Sequence, residues 1–158
     1  MRITVNNSEH YDSTEETNKH IAEVVSQGKR LTDAITSRLE KHDASKLVSP
    51  EKDYFDKFTP MLAKMQYGSP EYKECLDGLK PALDHHYSEN SHHPEHFKNG
   101  IDGMDLVDLF EMFCDWRAAV KRNKNGDIYK SLEINKDRFK MSEQLVSILK
   151  NTVDHFKD

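Results

Sequence analysis

Two short runs of this chain carry side chains that bind divalent cations. The first is His42-Asp43-Ala44-Ser45-Lys46. It sets an imidazole beside a carboxylate, the ligand types shared by Zn, Mn, Fe, Ni and Co. The second is His85-His86-Tyr87-Ser88-Glu89-Asn90-Ser91-His92-His93-Pro94-Glu95-His96, which holds five of the nine histidines. The remaining residues are expected to form helices that bring the two runs together around one or two metal ions, with Mg also possible.

Each residue also has an ordinary reading. A lone His-Asp pair is common by chance. Lys46, three residues after Asp43, can hold that carboxylate or a substrate phosphate; Ser45 and Lys46 equally suit a plain turn. In the second run not all five imidazoles can reach one site. His86, His93 and His96 are preferred, ahead of His92 and then His85. A helical turn starting at Pro94 would put His93 and His96 on one side.

Such a set of histidines needs carboxylates. Residues 105–122 read as a helix carrying Asp105, Asp108, Glu111 and Asp115. A charge run on a helix is usually a solvated face. Asp115 differs because Phe113, Cys114 and Trp116 flank it, and a buried carboxylate calls for a partner. Asp115 is therefore the expected ligand, with Asp108 and Glu111 as substitutes or as hydrogen-bond acceptors behind the ligands. Glu51 is a candidate general base, a candidate acceptor for a ligand, or a carboxylate favoured by a helix N-terminus. Arg38, Lys46, Arg117, Lys121 and Arg122 are candidates to hold a phosphate. No glycine loop suited to cradling phosphate is present, and no Ser or Cys nucleophile with a partner His is evident.

The elements that must position these residues read as helices throughout. Ser13-Thr14-Glu15-Glu16 has capping-box spacing. Ile21, Val24, Val25, Leu31, Ala34, Ile35 and Leu39 then follow at a helical period. His20 and His42 lie on this stretch. In one unbroken helix they would stand about 33 Å apart along the axis and could not share a metal within one chain. Gly28 offers a helix end, and a hairpin there would set His20 beside His42; this hairpin is the expected form. Further helices are expected from Ser49-Pro50, from Ser69-Pro70 into His85-His86, and over about 127–136 and 142–156. Pro60 and Pro81 are expected to kink or end theirs. Residues 88–100 read as a loop, with a turn at Asn99-Gly100. Residues 1–12 read as a tail or a short strand, and 13–158 as a single all-α domain.

Of the 158 residues, 35% are hydrophobic and 32% charged, which implies a modest core under a highly charged surface. A net charge of −5 gives no electrostatic case for a nucleic-acid polymer as partner. It leaves room for a small anionic substrate, because a metal reverses the local field. Cys75 and Cys114 stand in no paired spacing and suit a reducing compartment. No apolar run approaches a membrane span of roughly 18 residues, and no signal-peptide centre is visible. A cytoplasmic location is expected.

The order of these features resembles the HD-domain superfamily of metal-dependent phosphohydrolases. His20, His42-Asp43 and Asp115 would match its H…HD…D pattern, and His-Asp-x-x-Lys is a form found in it. His86, with His93 or His96, would match the extra histidines of its dinuclear members. Most of residues 17–153 is also similar to a small bacterial and bacteriophage family with no assigned activity. That likeness lies in His42–Lys46, Leu79–Tyr87, His92–His96 and Cys114-Asp115-Trp116. The resemblance implies an HD-like helical bundle with metal between helices and hydrolysis of a small phosphate ester, most simply a nucleotide. It also admits a di-iron oxygenase. A metal-stapled binding protein without catalysis is the third reading. A homodimer is possible, and is required if His20 serves a site on a partner chain.

Overall fold

The structure is a computed structural model, and it describes residues 11–65, 69–122 and 125–156. Among these residues there are helices and turns and no strand. The α-helices are α1 (Thr14–Leu39), α2 (Glu51–Leu62), α3 (Pro70–Glu89), α4 (Leu106–Lys121), α5 (Ile128–Phe139) and α6 (Glu143–His155). Short 3-10 turns at Ala44–Leu47, Pro94–His96 and Gly100–Gly103 join them. The all-α expectation holds, and its helix boundaries fall within a few residues of those observed. The expected tail or strand falls largely on residues 1–10, outside the described residues.

The starts of α3, α4 and α6 carry side-chain caps, whereas Ser13 before α1 makes no cap bond and α2 begins one residue after Pro50. Ser69 Oγ accepts from Tyr72 N at the start of α3, and Ser142 Oγ from Leu145 N at the start of α6. Asp105 and Asp108 form a reciprocal capping box on α4. The prolines act more weakly than expected. α2 runs two residues past Pro60, and α3 passes through Pro81 and continues to Glu89.

One expectation fails. α1 does not turn at Gly28; it is a single helix of 26 residues. One glycine inside a helix costs only about 1 kcal/mol relative to alanine. No proline or second glycine lies between Thr14 and Leu39, so nothing else interrupts the helix.

Two apolar assemblies flank a polar seam. The larger packs Phe113 of α4 against Leu132 of α5 and Val146, Leu149 and Val153 of α6, with Trp116 and Phe139 stacked at its edge. The smaller lies between α2 and α3, where Cys75, Leu79 and Ala82 form a buried stripe. A Cβ on Gly78 would lie 2.6 Å from the Phe58 ring, so α2 and α3 leave no room for a side chain at this position. Between the assemblies, α1 packs on α4 and the Pro94–His96 turn packs on α3. The buried side chains there are polar: Glu51, His86, His92, Asp108 and Glu111. A seam of this kind is costly unless each group finds a partner.

Candidate metal centre

The chain leaves α1 and reverses at Asp43, whose backbone is left-handed, with φ 56°. Aspartate tolerates this conformation better than most residues. The reversal turns the consecutive side chains of His42 and Asp43 onto one space. His86 reaches the same space because it extends the buried stripe Cys75–Leu79–Ala82 by one more turn of α3. The chain then leaves α3 at Asn90, whose amide donates to Ser45 Oγ and to His86 O, and lays His92 and His93 across the gap. α4 closes the site. Asp108, Glu111, Met112 and Asp115 share one helical stripe, directed at the end of α1, while Phe113 and Trp116 face the larger core.

Two groups of donor atoms result, each within 4.8 Å of one another: Asp43, His86, His92 and His93, and His42, His92 and Asp115. His92 belongs to both. Asp43 also faces both: its Oδ1 lies 3.1 Å from His86 Nε2, and its Oδ2 lies 3.6 Å from His42 Nε2. His42 Nε2 is 3.6 Å from Asp115 Oδ1 as well. These spacings bracket the ~3.3 Å between neighbouring ligands of a tetrahedral ion with ~2.0–2.1 Å bonds.

A layer of hydrogen bonds fixes the rings from behind. Glu111 Oε1 lies 3.0 Å from His42 Nδ1 and 3.2 Å from His92 Nδ1. Glu51 Oε2 lies 2.9 Å from His86 Nδ1, and its Oε1 lies 2.8 Å from His85 Nδ1. Ser45 donates to Glu51, and Arg38 donates to Ser91, Asp108 and Glu111. A carboxylate accepts, so the Nδ1 of His42, His86 and His92 must carry the proton. All three Nε2 atoms then point inward, as lone pairs on His86 and His92 and as an N–H toward Asp115 on His42, whose proton a metal would displace.

That inward face is what fits a cation. Asp43 Oδ1 and His92 Nε2 are buried with no hydrogen-bond partner. His86 Nε2 and His93 Nε2 face each other at 3.0 Å. Converging lone pairs and an ionised carboxylate repel one another unless positive charge lies among them. Carboxylate-backed histidines of this type are the usual supports of bound metal.

The charges agree. Burial acts to raise the pKa of Asp43, but His86, then Lys46 at 2.6 Å, and His42 outweigh it and hold the carboxyl far below its usual range. Burial likewise opposes the ionisation of Asp115, and His42 overcomes it. The His42 imidazole is pushed up to about 9 by Asp115 first and then by Glu111 and Asp43, against its own burial. Burial lowers His92, and burial with the neighbouring His92 and His86 lowers His93 to about 3.

Of the residues singled out in the sequence, His42, Asp43, His86, His93 and Asp115 meet here, with Lys46 bound to Asp43. Five are placed differently. His20 lies on the exposed N-terminal half of α1, because that helix does not fold back. His96 points outward: the 3-10 turn after His93 exposes its ring, and its Nδ1 meets Tyr87 O at 3.0 Å. Glu51 is fully buried and engaged by two imidazoles and a hydroxyl, so it is an acceptor behind the ligands and not a general base facing substrate. Arg117 turns toward α6, donating to Phe156 O at 2.9 Å. Arg122 is exposed at the far end of α4, about 10 Å along the axis from Asp115. His92, ranked low in the sequence, is in the centre, and Glu111, held in reserve, supports two of its rings. The signal for Glu111 was its place three and four residues from Asp108 and Asp115. His92 had no comparable signal, because loop residues lack a period.

Fold and site together define an all-helical protein with a buried histidine–carboxylate centre that could hold metal. The chain belongs to a family described as "Family of unknown function (DUF5662)", whose model matches residues 9–155. No curated protein and no solved structure matches it. Among the described residues no helix is long and apolar enough to cross a membrane.

Proposed function

We propose that this chain is a metal-dependent phosphohydrolase acting on a small nucleotide or related phosphate ester. The observation that carries the reading is the meeting of His42, Asp43, His86, His92, His93 and Asp115 in one buried cluster, in which Asp43 Oδ1 and His92 Nε2 have no hydrogen-bond partner. The likeness to the HD-domain superfamily rests on His42-Asp43 and Asp115; its first histidine has no counterpart in this centre, because His20 is remote.

A bound divalent ion would supply Lewis acidity toward a phosphoryl oxygen and acidify a water. His42, His86, His92, His93, Asp43 and Asp115 would hold one or two such ions. A cavity of about 360 Å³ opens beside His92, lined by Arg38, Lys41, Asn90, Ser91 and Glu111 among others. That volume suits a small ligand. Lys41 presents positive charge there, Arg38 being held by Asp108 and Glu111, and Asn90 and Ser91 present polar groups that can orient an ester. Asp43, an ionised carboxylate, would accept a hydrogen bond from the attacking water. Lys46 fixes that carboxylate. In the reaction the water oxygen bonds to phosphorus, the ester P–O bond breaks, and the alcohol leaves with a proton.

The test is phosphate release from a panel of nucleotides with Mn, Co, Ni, Zn or Mg. Turnover that requires metal and disappears in Asp43→Ala supports the reading. A metal-loaded protein that cleaves no phosphate ester overturns it. Asp43 turns one carboxylate oxygen toward His86 and the other toward His42, and a carboxylate that can bridge two ions favours a second reading, a di-iron oxygenase. Iron content, a visible absorption band and oxygen consumption separate the two. A protein that binds metal and returns every ligand unchanged would be a metal-stapled binding module.

A further inference from the structure

The donor atoms of the centre are not equally free. Asp43 divides its two oxygens: among the described residues Oδ1 is buried with no hydrogen-bond partner, whereas Oδ2 is held by Lys46 at 2.6 Å. Oδ1 lies 3.1 Å from His86 Nε2 and 3.6 Å from His92 Nε2, and His86 Nε2 lies 3.0 Å from His93 Nε2. These separations fall around the ~3.3 Å edge of a tetrahedron with ~2.0–2.1 Å bonds, so the four donors close a shell. His92 Nε2, on a ring that is almost wholly buried, is likewise without a partner among the described residues. A cation entering this group displaces no charged partner and removes the repulsion among the lone pairs.

The other group is engaged with itself. His42 Nε2 and Asp115 Oδ1 pair at 3.6 Å. Their third donor is His92 Nε2, which also belongs to the first group. It has one lone pair and serves one ion. The first group claims it, because no charge contact has to break there. An ion beside His42 and Asp115 must then part that pair and draw Asp43 Oδ2 away from Lys46, for a shell of one imidazole and two carboxylates. The His42 and Asp115 side chains are 26% and 24% exposed, against 1% and 2% for His86 and His92. With Leu39, Cys114 and Ala118 they line a cavity of about 170 Å³, roomy enough for water to complete such a shell.

We propose that the centre binds two ions of unequal affinity: an inner one on Asp43 Oδ1, His86, His92 and His93, and an outer one on His42, Asp115 and Asp43 Oδ2. This rests on the metal-binding part of the function proposed above and not on hydrolysis. Three imidazoles and one carboxylate in a closed tetrahedral shell select Zn or Co over Mg or Ca. The inner ion is the resident one, and it ties the histidine loop to α3 and to the turn after α1. The outer ion has fewer protein donors and open positions, so it exchanges and is the one that a substrate can reach. His42 and Asp115, which carry the likeness to the H…HD…D pattern, thus form the weaker site.

The test is titration of the chelator-stripped full chain with Co(II), counting bound ions by equilibrium dialysis and following visible absorption. The expected result is one tight ion with the intense bands of tetrahedral cobalt, then a second at least ~100-fold weaker, the scale of change that missing supporting contacts bring. Asp115→Asn should abolish the second ion and keep the first with its spectrum. His93→Ala should loosen the first at least ~10-fold. No bound ion, one ion at every cobalt concentration, two ions of equal affinity, or a first ion lost in a folded Asp115→Asn variant overturns the proposal. The wild-type spectrum decides even where a variant does not fold: a first cobalt with the weak bands of a six-coordinate ion overturns it too. No substrate enters the measurement, so a chain that binds both ions in this way and cleaves no phosphate ester refutes the phosphohydrolase alone.

Discussion

Glu111→Gln is the sharpest probe of the centre. Glu111 is buried; its Oε1 serves His42 and His92, and its Oε2 takes Arg38 at 2.6 Å. Glutamine keeps the shape and loses the charge. If its oxygen stays on the two imidazoles, its NH2 opposes the Arg38 guanidinium. If it turns, its NH2 faces two N–H donors. Either way one charge-assisted contact becomes a donor–donor contact. Hydrogen bonds to charged groups contribute about 1.5–3 kcal/mol and neutral ones about 0.5–1.5 kcal/mol. Two imidazoles each weakened by that difference make poorer, less well oriented ligands. The expected loss of metal affinity is ~10- to 100-fold, or about 1.4–2.7 kcal/mol. Competition against a chromophoric chelator measures it, with circular dichroism to confirm that the variant is folded. Glu51→Gln, acting behind His86, should behave alike. A folded Glu111→Gln variant that binds Zn or Mn within twofold of wild type would refute the idea that these carboxylates set the rings for metal.

Three further outcomes follow from the same geometry. His92→Ala should weaken metal binding at least ~100-fold, while His96→Ala, whose ring points outward, should leave it within about twofold; equal effects in the same chelator competition would contradict the placement of the loop. His42, pushed up to about 9 without metal, is mostly protonated at pH 7, so metal must displace that proton. Apparent affinity should therefore rise with pH until about 9, and calorimetry in buffers of different ionisation enthalpy should detect proton release. In the metal-free protein the raised pKa has the opposite sign: its stabilisation is complete below the unfolded value of ~6.5 and is lost as pH climbs through about 9. Gly78→Ala places a methyl 2.6 Å from the Phe58 ring; overpacking of this kind costs ~1–3 kcal/mol, and thermal melts should show a fall of several degrees with metal affinity retained.

The parts of the site that lie on helices were legible in the sequence, and the parts that depend on chain reversals were not. His86 lies on the apolar stripe Cys75–Leu79–Ala82 of α3, and Asp115 could be chosen because Phe113, Cys114 and Trp116 flank it in sequence. The His42-Asp43 pair stood out by residue type, but its left-handed turn at Asp43 left no trace, since aspartate is ordinary in any turn. His92 and His96 could not be ranked correctly. Which of them faces inward is decided by Asn90 bonding to Ser45 and His86 and by a 3-10 turn after His93, and neither has a local signature. His20 was misplaced for the converse reason. Chemistry asked for a hairpin at Gly28, and the local period, which the helix obeys, did not provide one.

An acidic protein proposed to receive a phosphate raises an electrostatic problem. The chain has a net charge of −5, and Asp43, Asp115, Glu51 and Glu111 crowd the centre. The nearby cations do not offset them. Lys46 is held by Asp43, and Arg38 by Asp108 and Glu111. A phosphate approaching this arrangement meets lone pairs and carboxylates. Two divalent ions set against Asp43 and Asp115 would leave the inner face positive and reverse the local field. The order of binding follows: the anion should bind only after the metal. Inorganic phosphate or a nucleotide should then raise the melting temperature of metal-loaded protein and leave that of chelator-treated protein unchanged. Equal stabilisation of both forms would mean that the anion is held without the metal, and would remove the electrostatic reason for reading this centre as a phosphohydrolase.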